Sequence, residues 1–208
     1  MKKVLKKIFF SFAWVAVIVF AIDITTKWLT QTNVAVNQEI EVIPNFFYIT
    51  LVHNTGVAFS MGKDILAFRI IFICISLAAS IFIPIFFVKK YNKLTTFYRL
   101  ALMLILGGCV GNLIDRAFYW EATVGFSGVI DMLLFKFGAL GNFAVFNVAD
   151  AAVVIGVLIL VIILIVEEVK NTIKNKKEGK YDLPPEEYEK RKKQLEEAEK
   201  ALEAENTK

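Results

Sequence analysis

Long apolar runs separated by shorter polar segments dominate the pattern along the chain. Four runs approach the roughly 20 residues that a helix needs to cross the hydrocarbon core of a bilayer, at about 1.5 Å of rise per residue. The pattern therefore predicts a membrane α-helical protein with four transmembrane helices. Their predicted limits are Ile8 to Leu29, Ile65 to Val88, Leu100 to Ile114 with its apolar approaches, and Val148 to Val166.

The distribution of basic residues predicts the orientation of these helices. Basic side chains precede the first run, lie between the second and third, and follow the fourth, and such residues concentrate in cytoplasmic segments. Both termini are therefore expected in the cytoplasm. The segments left outside, about 30–64 and about 116–146, carry few such residues. The basic residues before the fourth run that carry this prediction are Lys2, Lys3, Lys6, Lys7, Lys89, Lys90, Lys93 and Arg99.

The first outer segment has the alternation typical of strands. Apolar and polar residues alternate around Val34–Val36 and over Glu39–Ile43, Pro44 and Asn45 interrupt the pattern, and a β-rich run begins at Phe46. We expect a small extracytoplasmic β-sheet element here. The second outer segment shows no clear period and fits either an interfacial helix or a loop.

Composition changes sharply after Val166. Residues 167–208 are dominated by charged side chains of both signs, with Tyr188, Leu195 and Leu202 spaced seven apart. This spacing predicts one exposed helix, and three positions are too few for a coiled coil. The domain organisation is thus a membrane domain over 1–166 and a charged, partly helical cytoplasmic tail over 167–208.

Composition also excludes several functions. Hydrophobic residues make up 57% of the chain and the net charge is only +4, which argues against a nucleic-acid partner. The two cysteines lie in apolar runs and form neither a disulfide framework nor a zinc-binding spacing. With a single histidine, a multi-histidine metal site is impossible. We expect neither a metal ion nor an organic cofactor.

Four aspartates are predicted to face one side of the membrane. Asp23, Asp115 and Asp150 lie at the outward ends of predicted helices, and Asp131 lies in the second outer segment. Ionisable groups at membrane depth usually mark a functional site, although ion pairs at helix ends are a common alternative. Asp23 has Lys27 four residues later, a favoured helical ion pair, which indicates a structural role.

Two motifs place an amide and a carboxylate three residues apart on one side of a helix end. They are Asn112-x-x-Asp115-Arg116 and Asn147-x-x-Asp150. Two neighbouring aspartates in a partly dry site titrate as a pair, so one can act as base and the other as acid in peptide hydrolysis. From the residues alone, Asp115 would be paired with Asp150.

Three alternatives compete with this interpretation. Gly107-Gly108-x-x-Gly111 fits close helix packing better than nucleotide binding, since no βα pattern precedes it. The Gly125–Gly128 stretch around Ser127 resembles a serine-peptidase nucleophile, but the chain lacks the helix-borne Ser and His of such a site. A channel or proton-coupled carrier is disfavoured because the sequence shows no internal repeat and no acid in the middle of a predicted span.

Five motifs in order resemble one family, the lipoprotein signal peptidases (signal peptidase II), which are membrane aspartyl peptidases of bacteria. The resemblance covers residues 23–150. The matching pieces are Asp23-Ile-Thr-Thr-Lys27, Asn54-Thr-Gly-Val-Ala-Phe59, Gly107-Gly-Cys-Val-Gly-Asn-Leu-Ile-Asp-Arg116, Val129-Ile-Asp131 and Phe146-Asn-Val-Ala-Asp150.

The resemblance implies that Asp131 and Asp150 form the catalytic dyad. It also implies diacylglyceryl-modified prolipoproteins as substrates, cleaved just before the lipidated cysteine, without a metal or cofactor. The enzyme would be a monomer among the lipids of the bacterial inner membrane, with its site on the extracytoplasmic side. The stretch between Arg116 and Asp131 is longer than usual in the family, and Met132 replaces a common aromatic. The implied supporting or substrate-binding residues are Asp23, Lys27, Asn54, Gly56, Gly108, Asn112, Asp115, Arg116, Asn147 and Ala149.

Overall fold

Four helices in the computed structural model are long and apolar enough to cross a membrane. The structure describes residues 11–54, 65–118, 120–121, 125–126, 128–177 and 184–206. The four predicted transmembrane helices are confirmed. They are α1 (Ala13–Asn33), α2 (Ile65–Lys90), α3 (Thr96–Phe118) and α4 (Val148–Lys177).

The helices extend beyond their predicted limits at the polar ends. α1 continues past Leu29, and α4 continues past Val166 into the charged segment. Hydropathy reports only the length that prefers hydrocarbon, whereas Lys, Glu and Gln also sustain helical backbone. One consequence is a correction for Asp23, which lies near the middle of α1 and not at its end. The prediction that no span carries an acid in its middle is therefore wrong.

A small antiparallel sheet is formed by β1 (Glu39–Ile43), β2 (Phe47–Asn54) and β5 (Val129–Phe135), in the order β1-β2-β5. A separate pair joins β3 (Trp120–Glu121) to β4 (Gly125–Phe126). The predicted sheet is confirmed. The second outer segment was predicted to form either an interfacial helix or a loop. In the structure it contains strands β3, β4 and β5 instead.

The prediction of a strand around Val34–Val36 is wrong. Val34 caps the C-terminal end of α1, and its N–H donates to the Thr30 carbonyl oxygen at 2.9 Å. Asn37 then adopts a φ of 60°, a left-handed conformation that interrupts extended backbone. The alternation of apolar residues here therefore belongs to the helix end and a turn.

The register between β2 and β5 determines the position of Asp131. Asp131 pairs with Val52, and Val129 pairs with Asn54 at the end of β2. Leu51 and Ile130, both almost fully buried, form the core beneath the sheet. Asp131 is thus fixed on a buried strand beside the end of β2.

Close approach of α3 to its neighbours depends on glycine. A Cβ at Gly107 would lie 2.7 Å from the Ala16 carbonyl oxygen of α1, and one at Gly108 would lie 2.3 Å from the Ala149 carbonyl oxygen of α4. These distances are too short for any side chain. The glycines therefore serve helix packing, as the sequence indicates.

By internal packing the chain forms two compact units, Met1–Leu160 and Val161–Lys208. The first contains α1–α3, the sheet and the start of α4. The second contains the end of α4 and the helix α5 (Pro185–Asn206), which coincides with the exposed helix predicted from the seven-residue spacing.

Candidate active site

The start of α4 is built by a reciprocal cap between Asn147 and Asp150. The Asp150 N–H donates to Asn147 Oδ1 at 2.8 Å, and the Asn147 N–H donates to Asp150 Oδ2 at 3.2 Å. This is the geometry of a capping box, in which residues three apart satisfy each other's free backbone donors. The Asn-x-x-Asp motif therefore starts the helix and holds the Asp150 carboxylate at its positive end.

Asn147 also reaches Asp131 from a fully buried position. Its amide nitrogen Nδ2 donates to Asp131 Oδ1 at 2.7 Å, and it lies 3.3 Å from the Ile130 carbonyl oxygen. The cap of α4 is therefore also a hydrogen-bond donor to strand β5. One residue thus connects the two carboxylates that the sequence places 19 positions apart.

Asp131 is only 1% exposed, and both of its carboxylate oxygens accept hydrogen bonds. Asn54 Nδ2 donates to Oδ2 at 2.8 Å, opposite the bond from Asn147. Burial, followed by repulsion from the Asp150 charge, raises the pKa of Asp131 to about 7. The hydrogen bonds from the two amides and the Lys27 charge oppose this rise. Near neutral pH, Asp131 can therefore hold or release a proton.

Asp150, which is half-buried, has a different environment. Its Oδ1 accepts from Asn112 Nδ2 at 2.7 Å, while its Oδ2 faces the backbone N–H of the cap. Asn112 Oδ1 in turn accepts from Asn147 Nδ2 at 3.1 Å. Two carboxylates joined through two amides, one of them buried and the other at a helix N-terminus, can divide the roles of acid and base.

Asp115 does not pair with Asp150 as the residues alone suggested. Its Oδ2 lies 2.8 Å from Lys27 Nζ and 3.4 Å from the Ile130 N–H. Lys27 is contributed by a different helix, α1, so sequence spacing could not reveal this ion pair. Asp115 therefore supports the site from behind strand β5.

Asp23 ties α1 to the start of α4. Its Oδ2 lies 2.7 Å from Lys27 Nζ, the predicted four-residue pair, and its Oδ1 accepts from the Ala149 N–H at 2.9 Å. Gly111 leaves room for this carboxylate, because a Cβ there would lie 2.5 Å from Asp23 Oδ2. Because Lys27 and the Ala149 N–H already contact its two oxygens, Asp23 does not offer a free ion-binding carboxylate of the kind a carrier needs.

Arg116 lies at the interface of α3 and α2. Its Nη1 is 3.5 Å from Ser76 Oγ, and its guanidinium carbon is 5.1 Å from the centre of the Phe72 ring. Sequence reasoning missed Ser76, which lies in none of the motifs, and it missed the role of the Ile130 backbone. Two residues considered from the sequence, Gly56 and Ser127, lie outside the described residues.

The fold and the site are those of a membrane protein whose spanning helices and small sheet hold paired carboxylates, an arrangement suited to a membrane aspartic peptidase. The sequence model of signal peptidase (SPase) II matches residues 15–166, so the chain belongs to the signal peptidase II family.

Named relatives agree with this assignment. The lipoprotein signal peptidase of Symbiobacterium thermophilum is 37% identical over 157 residues, which is 76% of this chain and 95% of the relative. The lipoprotein signal peptidase of Listeria monocytogenes serotype 4b is 37% identical over 142 residues, which is 68% of this chain and 84% of the relative.

Two solved structures, both described as a bacterial membrane enzyme studied by the in meso method, are also similar. One superposes with a TM-score of 0.60 at 30% identity over 74% of this chain and 87% of its own. The other has a TM-score of 0.59 at 30% identity, covering 73% and 90%.

Proposed function

We propose that this protein removes signal peptides from diacylglyceryl-modified prolipoproteins by cleaving just before the lipidated cysteine. Membership of the signal peptidase II family supports removal of signal peptides from prolipoproteins. The lipid requirement and the position of the cut follow from the resemblance of the motifs.

The proposed reaction uses Asp131 and Asp150 without a covalent intermediate. One carboxylate takes a proton from a water molecule, whose oxygen attacks the scissile carbonyl carbon to give a tetrahedral diol. The other, protonated, donates a hydrogen bond to the carbonyl oxygen. Breakdown of the diol cleaves the C–N bond, and the amine leaves with a proton delivered by the dyad.

The observation that carries this proposal is the shared amide network. Asn147 and Asn112 are hydrogen-bonded to each other and hold Asp131 and Asp150 respectively. The raised pKa of Asp131 makes proton transfer possible at neutral pH, because a useful acid or base has a pKa near the working pH.

The other site residues then have supporting or substrate-positioning roles. Gly108 and Ala149 form the tight contact between α3 and α4, and Arg116 contributes a cation in the last turn of α3. The supporting set is Asp23, Lys27, Asn54, Gly56, Gly108, Asn112, Asp115, Arg116, Asn147 and Ala149.

The proposed location is the extracytoplasmic rim of the bacterial inner membrane, with both termini in the cytoplasm. The excess of basic residues in the inner segments supports this orientation. A site at this level would leave the acyl chains in lipid while the scissile peptide reaches water. We further propose that the enzyme acts as a monomer, with residues 1–166 as the catalytic domain and 167–208 as a tail without a catalytic part.

Amide substitution of each aspartate tests the proposal. In purified full-length protein, Asp131→Asn and Asp150→Asn should each abolish cleavage of a diacylglyceryl-cysteine peptide, because each removes a proton-transfer group at nearly constant volume. Glu187→Gln, an equivalent change on the exposed helix α5, is the matched control. Retained turnover in either aspartate variant would refute the dyad, and strong loss in Ser127→Ala would favour a serine nucleophile.

A further inference from the structure

Lys27 is a buried cation surrounded by three oxygen atoms from α1 and α3. Its side chain is 3% exposed, and Nζ contacts Asp23 Oδ2, Asp115 Oδ2 and Asn112 Oδ1 at 2.7, 2.8 and 3.1 Å. The contacts with Asp23 and Asp115 are ion pairs, and the contact with Asn112 is a hydrogen bond in which the ammonium group donates. The third contact connects the ion-pair cluster to the carboxylate network.

That third contact determines the orientation of the Asn112 amide. Asn112 Oδ1 accepts from both Lys27 Nζ and Asn147 Nδ2. With two donors converging on its oxygen, the amide must direct its nitrogen the other way, where Nδ2 lies 2.7 Å from Asp150 Oδ1. If the Asn112 amide were reversed, its nitrogen would face the two donors Lys27 Nζ and Asn147 Nδ2. Its oxygen would then face the Asp150 carboxylate.

The cluster also acts through its charge. Lys27 is a cation whose charge acts on Asp131, and its ion pairs with Asp23 and Asp115 hold it in place. Such charges are poorly screened in a buried site. A positive charge favours the ionised form of a nearby carboxylate, and a negative charge opposes it.

We propose that Lys27 is a positioning residue that orients Asn112 toward Asp150 and sets the pH at which the dyad becomes active. This inference rests on the proposed function, since it assigns Lys27 a role in that reaction. Lys27 acts through its hydrogen bond to Asn112 and through the electrostatic field of its charge, without contacting the reacting atoms.

Several other groups contribute to the electrostatic environment of the dyad, and a pH experiment must hold them constant. β1 is exposed and contributes no carboxylate to this cluster. Among the described residues, the titratable or charged side chains besides Lys27 on the elements around the dyad include Asp23 of α1, His53 of β2, and Cys109, Asp115 and Arg116 of α3.

The test is the pH dependence of kcat in three variants of the full chain. Lys27→Met removes the cation and should lower kcat at least ~10-fold, with the acidic limb of the profile moved upward by about one pH unit. In this variant Asp23 and Asp115 keep their hydrogen bonds from the Ala149 and Ile130 N–H groups. Lys27→Arg retains the charge and should keep the acidic limb within half a unit of its original position.

Asp115→Asn supplies a change of opposite sign. It removes an anion while Lys27 and Asp23 remain, so the acidic limb should move downward. Lys192→Met on exposed α5 is the matched control for loss of a lysine and should leave the profile unchanged. KM should change much less than kcat in Lys27→Met, because the substrate contacts remain.

An unshifted acidic limb in Lys27→Met, or shifts of the same sign in Lys27→Met and Asp115→Asn, would overturn the inference. If Lys27→Met does not fold, the Asp115→Asn and Lys27→Arg profiles decide the question alone. If Asp131→Asn and Asp150→Asn are inactive but the pH profiles of the Lys27 and Asp115 variants are unshifted, the role of Lys27 is rejected and the dyad is retained. Active aspartate variants would reject the proposed function itself.

Discussion

The contact of Gly108 with the start of α4 permits a quantitative prediction for Gly108→Ala. The added Cβ would lie 2.3 Å from the Ala149 carbonyl oxygen and 2.7 Å from Val153 Cγ2. Ordinary contact begins near 3.4 Å, and the carbonyl belongs to backbone that cannot rotate away. The two helices must therefore separate by about 1 Å.

That displacement acts directly on the dyad, because Ala149 precedes Asp150 and its N–H is bonded to Asp23. Overpacking of this kind costs about 1–3 kcal/mol in the free energy of unfolding. A misplacement of about 1 Å at a catalytic group can reduce the rate by about 100-fold. We expect Gly108→Ala to show both effects in a cleavage assay and a thermal unfolding measurement.

Gly156→Ala is the matched control, since Gly156 lies deeper in α4 and away from the dyad. Its added Cβ would lie 2.8 Å from the Ala101 carbonyl oxygen and 2.7 Å from Ile105 Cγ1, a smaller clash between the same two helices. It should also lower stability, although by less than Gly108→Ala, while kcat falls much less. Equal losses of kcat in the two variants, or full activity in Gly108→Ala, would refute the reasoning.

Two further predictions concern the buried amides and acids of the site. Because the folded state raises the pKa of Asp131 to about 7 from 3.8, it retains a proton that the unfolded chain has lost. Stability should therefore fall as pH rises from about 4 to about 7, and Asp131→Asn should flatten this fall when thermal unfolding is followed against pH; a parallel fall in the variant would contradict the assignment. Asn147→Ala removes the cap oxygen and the donor to Asp131, so it should cost about 1–3 kcal/mol by denaturant unfolding and remove most activity. Unchanged stability there would show that the cap contributes nothing.

The four spanning helices were predictable because the length of an apolar run is a local property. The strands around Glu39 and Phe47 were predictable for a similar reason, since the alternation over Glu39–Ile43 and the β-rich run from Phe46 are also local patterns. β5 was not: its first four residues, Val129–Met132, are all buried, so no two-residue period marks it as a strand.

The pairing of the carboxylates could not be derived from spacing. Asp131 reaches Asp150 only because the register of β5 on β2 and the cap at Asn147 bring them together. Asp115 was the natural partner by motif, but Lys27 from another helix binds it. The family resemblance predicts the pair Asp131 and Asp150, which local patterns do not indicate.

Asn147 combines two chemical requirements that no other side chain meets. An N-cap needs a short acceptor, which Asp or Ser could also supply, but neither carries an amide N–H for the Asp131 carboxylate. Gln carries the amide on a longer stem, which moves its oxygen away from the capping position. The initiation of α4 and the proposed hydrolysis therefore both depend on the same side chain, and asparagine meets both requirements.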